Sequence, residues 1–293
     1  MGRVQISRNN LRVNIGAFAL SVFLFASALL GGVAPSHAFL ILDNMVFIGT
    51  KSGAAVFKIK NTGDEPEAYR LEWTQLRMKE KGGKEKVAQG ETIPGVMAAD
   101  SYMYVAPRRI MLMPGQVQHV RFMVRRTENM ASGEYRSYIV FQPEEIPPTF
   151  NPEEATSNSV PAPGKAVAQI SMLTGYRIPV FFLHGDTILD VSVKDAVLGR
   201  DKSGAPLLNF TFVREGTRSA LGGLTVHCTT GDKEVKISSG EIRIFTELES
   251  RRYSYLLKNM PEDCVNITLD YLPQSLDPDY NGMAMRLAEI PAG

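Results

Sequence analysis

The stretch "YVAPRRIMLMPGQVQHVRFMV", Tyr104 to Val124, decides the fold class. Pro107 ends one extended segment, because its ring fixes φ and removes a backbone donor. "MPGQ", Met113 to Gln116, has the chemistry of a turn: proline presets φ at one central position and glycine accepts positive φ at the next. Beyond it Val117, Val120, Phe122 and Val124 continue as a strand, with His119 and Arg121 facing out.

The same pattern recurs along the chain. "AAVFKIKN", "AYRLEWTQLRM", "RSYIVFQ", "AQISML", "RIPVFF", "ILDVSVKDAVL", "LLNFTFVRE", "GGLTVHCTT", "EIRIFTEL" and "VNITLDYL" are short runs rich in β-branched and aromatic residues. Gly, Pro, Asn and Asp separate them, and helical periodicity is almost absent. Many short strands between turn signals predict an all-β protein, and the length of 293 residues predicts two β-sandwiches. The boundary is placed at "FLHGD", Phe182 to Asp186, which gives one unit over 39–184 and a second over 185–293.

The first 38 residues are set apart from the fold. Arg3, Arg8 and Arg12 make a basic start, Ile15 to Leu30 is apolar, and "SHA" places Ser36 and Ala38 where a leader is cut. Cleavage after Ala38 would export the chain; a retained membrane anchor is the alternative. Export puts the two cysteines, Cys228 and Cys264, in an oxidising compartment where they can bridge. The other reading is two buried thiols acting as small hydrophobes.

With 44% hydrophobic and 22% charged residues the composition is that of an ordinary globular protein. The net charge of +1 offers no long-range field for nucleic acid or an anionic membrane. No G-x-S-x-G, Gly-rich phosphate loop or H-E-x-x-H occurs, so the sequence points to no enzyme, metal, small-molecule substrate or cofactor. The charged segment "KEKGGKEKVAQG", Lys79 to Gly90, reads as a solvated hairpin tip. Arg108 and Arg109 read as an exposed pair, His119 as solvent-facing, His184 as a linker residue, and the sequons at Asn209 and Asn266 as chance.

One strand sits oddly. In "KAVAQISMLTGYRIPVFF", Lys165 to Phe182, Ala166, Ala168, Ile170 and Met172 alternate with Gln169 and Ser171. That is the mark of a half-buried strand. Yet it follows "PEEATSNSVPAPG", Pro152 to Gly164, within a Pro-, Glu- and Asn-rich interruption from Gln142 to Gly164. A loop that long inside a compact unit is functional or disordered.

Four segments in this order resemble the periplasmic chaperones of the chaperone–usher pathway, which assemble bacterial pili. They are the "A.F.I.NTGDEP" pattern at Ala55 to Pro66, "P.R..L.PGQ.Q.VR" at Pro107 to Arg121, "GEYR…EIPP" at Gly133 to Pro148, and "R.PVFF" at Arg177 to Phe182. The resemblance implies two immunoglobulin-like sandwiches set at an angle, located in the periplasm. It also implies that the strand at 165–182 completes an unfinished pilin subunit by donor-strand complementation, a recognised mode of strand addition. Ala166, Ala168, Ile170 and Met172 would enter the subunit's groove, and an outer-membrane usher would receive the complex. A dimer that caps the strand of a free chaperone is a further state of the family that stays open here.

Better-known members anchor the subunit's terminal carboxylate with an Arg and a Lys in the cleft between the sandwiches. Here Asn44 or Met45 stands at the first position and Pro179 at the second. Arg177, two residues earlier on the same face, is the candidate substitute, against a plain surface arginine. The rival from another class is a pilin-like or adhesin surface protein built on the same sandwich plan.

Overall fold

The computed structural model describes residues 39–41, 44–88, 90–125, 129–146, 175–274 and 284–292. The predicted leader, the Pro152 to Gly164 stretch and the donor residues Ala166, Ala168, Ile170 and Met172 lie outside the described residues.

The chain is all-β and forms two sandwiches. The first contains β1 (Phe39–Ile41), β2 (Val46–Ile48), β3 (Ala54–Asn61), β4 (Glu67–Thr74), a small hairpin of β5 (Leu76–Met78) and β6 (Lys84–Lys86), β7 (Met103–Ala106), β8 (Arg109–Leu112), β9 (Val117–Val124), β10 (Gly133–Glu144) and β11 (Tyr176–His184). The second contains β12 (Leu189–Arg200), β13 (Pro206–Gly216), β14 (Ala220–Thr230), β15 (Lys233–Ile244), β16 (Ser250–Leu256), β17 (Asn266–Pro273) and β18 (Met285–Pro291).

Four strands in the order β1-β3-β9-β7 face five in the order β2-β11-β10-β4-β8. Between them Phe57, Ile59, Leu112, Phe122, Ile139, Phe141, Val180 and Phe182 form the core. Period-two alternation explains it: Phe57 and Ile59 are buried while Val56 and Lys58 are exposed, and on β9 Val120 and Phe122 are buried between exposed His119 and Arg121. The stretch from Tyr104 to Val124 does more than turn once. Beyond the cis Ala106–Pro107 bond the chain leaves one sheet (β7) for the other (β8), then returns through the turn at Gly115 to β9.

The "NTGDEP" turn is held by one buried side chain. Asn61 Nδ2 donates to the carbonyls of Glu65 (2.7 Å) and Leu112 (3.1 Å), and its Oδ1 accepts from Gly63 N (2.9 Å). A fully buried amide needs such partners. Here they pin the β3–β4 connection to the end of β8.

In the second sandwich β12-β13-β16 faces β15-β14-β17-β18 around Leu208, Phe212, Leu224, Val226, Ile242, Ile267 and Tyr271. Cys228, on β14, and Cys264, just before β17, are joined by a disulfide with Cα atoms 5.8 Å apart.

In two stretches the structure extends the sequence reading. The run "RSYIVFQ", Arg136 to Gln142, is part of a longer strand, Gly133 to Glu144. The hairpin tip from Lys79 to Gly90 is largely exposed as expected, with Val87 buried, while Leu76 and Met78, just before it, pack into a cluster shared by the two sandwiches.

Candidate functional site

The strand that matters is β11. It pairs antiparallel with β10 along its whole length, from Phe141 opposite Tyr176 to Gly133 opposite His184. On its other side β2 runs parallel to it, but only from Val180 to Phe182. Among the described residues no strand pairs with Arg177, Ile178 or Pro179 on that side. Among the described residues the N-terminal end of β11 is therefore a sheet margin, and Ala166 to Met172 precede it in the sequence.

The two faces of β11 do different work. Ile178, Val180 and Phe182 point into the first sandwich's core, where the Phe182 ring stacks on Tyr135 at 4.7 Å. Phe181 points the opposite way. With Met45, Leu76, Met78, Tyr138, Leu221 and Phe245 it forms the apolar contact between the sandwiches. Pro179, on Phe181's face, is buried opposite Tyr138. Arg177 lies on that face too, opposite Val140, but at the exposed end of the strand.

The charged residue at the centre of this contact is Arg136, which the sequence reading did not single out. Its Nη2 donates to Glu247 Oε1 at 2.8 Å, with side-chain exposures of 1% and 3%. The same Glu247 oxygen accepts the backbone N–H of Met78 at 2.8 Å. One carboxylate from the second sandwich thus ties β10 and the β5–β6 hairpin of the first. The Arg136 guanidinium lies 4.3 Å from the Phe245 ring centroid, and Lys84 Nζ lies 5.0 Å from that of Tyr138. Burial, together with the nearby Arg243 and Arg136, lowers the Lys84 ammonium from its ordinary value. Arg136 stands at the first position of the run "RSYIVFQ", at the end of an expected strand. A charge in "GEYRSY" then looked solvated.

A second polar tie lies at the start of β10. Buried Glu134 accepts from the backbone N–H of Ser219 (2.8 Å) and from its hydroxyl, and Glu134 N donates to Thr217 O (3.1 Å). Burial pushes the Glu134 carboxyl up, against the pull of the Ser219 bonds and of Arg136 and Arg218. Close by, buried Arg214 donates to four carbonyls, those of Thr246, Leu248, Gly216 and Arg218. It holds both turns that meet β10.

The remaining candidates are dispersed. Arg109 is exposed and bridges Glu144 at 3.4 Å, and His119 is exposed on β9. His227 Nδ1 lies 3.1 Å from Asp270 Oδ2, and with Glu234 these make the one trio of potential metal ligands among the described residues. Arg286 fills the cation's place: it meets Asp270 at 3.0 Å and Glu234 at 2.9 Å. Three strands supply this group, so no sequence spacing announces it.

No family model matches the chain, and no curated protein does. The structure is similar to solved chaperones. The class 5 fimbriae chaperone CfaA is 10% identical over 86% of this chain and 100% of its own, with a TM-score of 0.43. The YadV chaperone is 10% identical over 85% and 99%, with a TM-score of 0.43. The E. coli chaperone DraB is 14% identical over 88% and 98%, with a TM-score of 0.40.

Proposed function

We propose that this chain is a periplasmic chaperone that captures pilus-like subunits by donor-strand complementation and hands them to an outer-membrane usher. The observation that carries the reading is the margin at β11. A strand buried on both faces and paired on both sides at Val180–Phe182 runs out, at Arg177 to Pro179, into an edge that among the described residues is paired on one side. The sequence leading into that edge alternates for strand addition.

The chemistry is association only. A subunit lacking one strand exposes an apolar groove and an unpaired sheet edge, which invites aggregation. The segment from Ala166 to Met172 offers backbone pairing for the edge and alternate side chains for the groove. Ile170 and Met172 carry most of the apolar contact, ~1.5–3 kcal/mol each when fully buried. Met adapts to pockets of differing shape. The buried contact between the sandwiches serves this role by holding β10, and with it β11, at a fixed place against the second sandwich. Exchange of the lent strand for another subunit's own strand buries more surface and drives release without ATP or cofactor.

The test is co-export with a candidate subunit. The chain is expected to protect it from degradation and to elute with it as a one-to-one complex, and Ile170→Asp or Met172→Asp to abolish capture while the chain stays folded. Full capture by both variants removes the donor role; higher multimers of the chain alone favour a structural pilin-like or adhesin protein.

A further inference from the structure

The near-zero total charge hides a segregation that the fold creates. The four strands β1, β3, β9 and β7 contain no Asp or Glu at all. On β3, β7 and β9 the buried residues are apolar apart from Asn61, so the charges collect on the outer face. Reading across the register, Lys60 stands opposite Val117, Lys58 opposite His119, Val56 opposite Arg121, and Ala54 opposite Met123, with Ala106 and Tyr104 flanking the last two on β7. Arg125 follows at the end of β9 and donates to the Tyr104 hydroxyl at 3.3 Å.

Two features mark this face as more than solvated surface. Lys58 and Lys60 follow one another on the outer side of β3, Arg121 lies diagonal to Lys58 on β9, and no Asp or Glu in the four strands offsets them. Among the cations stand apolar side chains that water also disfavours: Val56 is 51% exposed, Tyr104 49% and Val117 48%. A face that is cationic, aromatic and aliphatic at once matches the chemistry of an anionic lipid surface. Lys and Arg reach anionic headgroups while tyrosine and the aliphatic groups sit at the headgroup–acyl boundary.

We propose that the outer face of the β1-β3-β9-β7 sheet is a docking surface for an anionic phospholipid bilayer. Lys58, Lys60, Arg121 and Arg125 supply the charge, and Val56, Tyr104 and Val117 the interfacial contact. The face lies on the sheet opposite the one that carries β11, so binding there leaves the proposed donor margin open.

Sedimentation of the full chain with vesicles tests this, using phosphatidylcholine alone and phosphatidylcholine mixed with phosphatidylglycerol. The chain is expected to bind the anionic vesicles only, and to be released by high salt. The triple variant Lys58→Glu, Lys60→Glu, Arg121→Glu, all at outward positions, is expected to bind at least roughly a hundredfold more weakly. A charge-matched control, Lys202→Glu, Lys233→Glu, Lys236→Glu on exposed positions of the second sandwich, is expected to bind as the parent does. Thermal melting of both variants checks the fold. Absence of binding to anionic vesicles, equal binding to neutral ones, or equal loss in both triple variants overturns the proposal. Retention on an immobilised acidic protein without vesicle binding does so as well. None of these outcomes bears on strand donation, which is read by subunit capture.

Discussion

Arg136 and Glu247 meet at 2.8 Å across the contact between the two sandwiches, with 1% and 3% of their side chains exposed. Neither charge has water to fall back on. A buried pair of this kind is costly to break from one side, because the survivor keeps its desolvation penalty. Glu247→Ala is expected to destabilise the protein by about 3–5 kcal/mol in urea unfolding. Replacing both, Arg136→Met with Glu247→Met, is expected to recover much of that loss. A single Glu247→Ala variant as stable as the parent would mean that the contact does not hold the sandwiches together.

Glu134 gives the contact a pH dependence with a definite sign. Its carboxyl is raised in the folded state by burial. Its contribution is therefore full below the ordinary carboxylate range and is lost as pH rises through the higher folded value. Glu134→Gln keeps an acceptor for the Ser219 N–H and removes the ionisation. Its unfolding free energy is expected to fall less than the parent's as pH rises from the carboxylate range toward neutral. Parallel profiles would contradict this.

The first sandwich's alternating strands were legible because each has one face in the core and one in water. β3 and β9 show it: Phe57, Ile59, Val120 and Phe122 are buried, and Lys58, His119 and Arg121 are not. β10 and β11 lack that contrast. Both lie between their own core and the second sandwich, so Glu134, Arg136 and Tyr138 are as buried as Tyr135 and Ile139. Period two vanishes there, and with it the signal for where β10 starts. The exposed tip from Lys79 to Gly90 was legible from its charges, but the packing of Leu76 and Met78 beside it was not, because the surface they cover belongs to residues far along the chain. Arg177 and the alternation from Ala166 to Met172 were legible as chemistry, and their role remains a proposal.

The Cys228–Cys264 bridge closes a loop with a sequence separation of 36 residues. Chain-entropy arguments give a closure of that length about 4 kcal/mol of stability. Cys228→Ala with Cys264→Ala, or reduction, is expected to lower the midpoint of urea unfolding by a corresponding amount. The first sandwich contains no part of that loop, so its own core packing is expected to persist. An unchanged midpoint would contradict the structural role.

Arg177 is exposed at the start of β11. Arg177→Ala is expected to leave the melting temperature unchanged and to weaken subunit capture less than Ile170→Asp does. Equal loss of capture would assign Arg177 the anchoring of a subunit carboxylate; unchanged capture would make it a plain surface residue.

The most direct test of the central claim is amide hydrogen exchange over 165–179, measured on the free chain and on the chain in complex with a co-exported subunit. Strand donation predicts fast exchange in the free chain from Ala166 to Met172, and strong protection of alternate amides there once the subunit is bound. Slow exchange that is the same in both states would mean the segment is paired within its own chain, and the donor-strand account would be wrong.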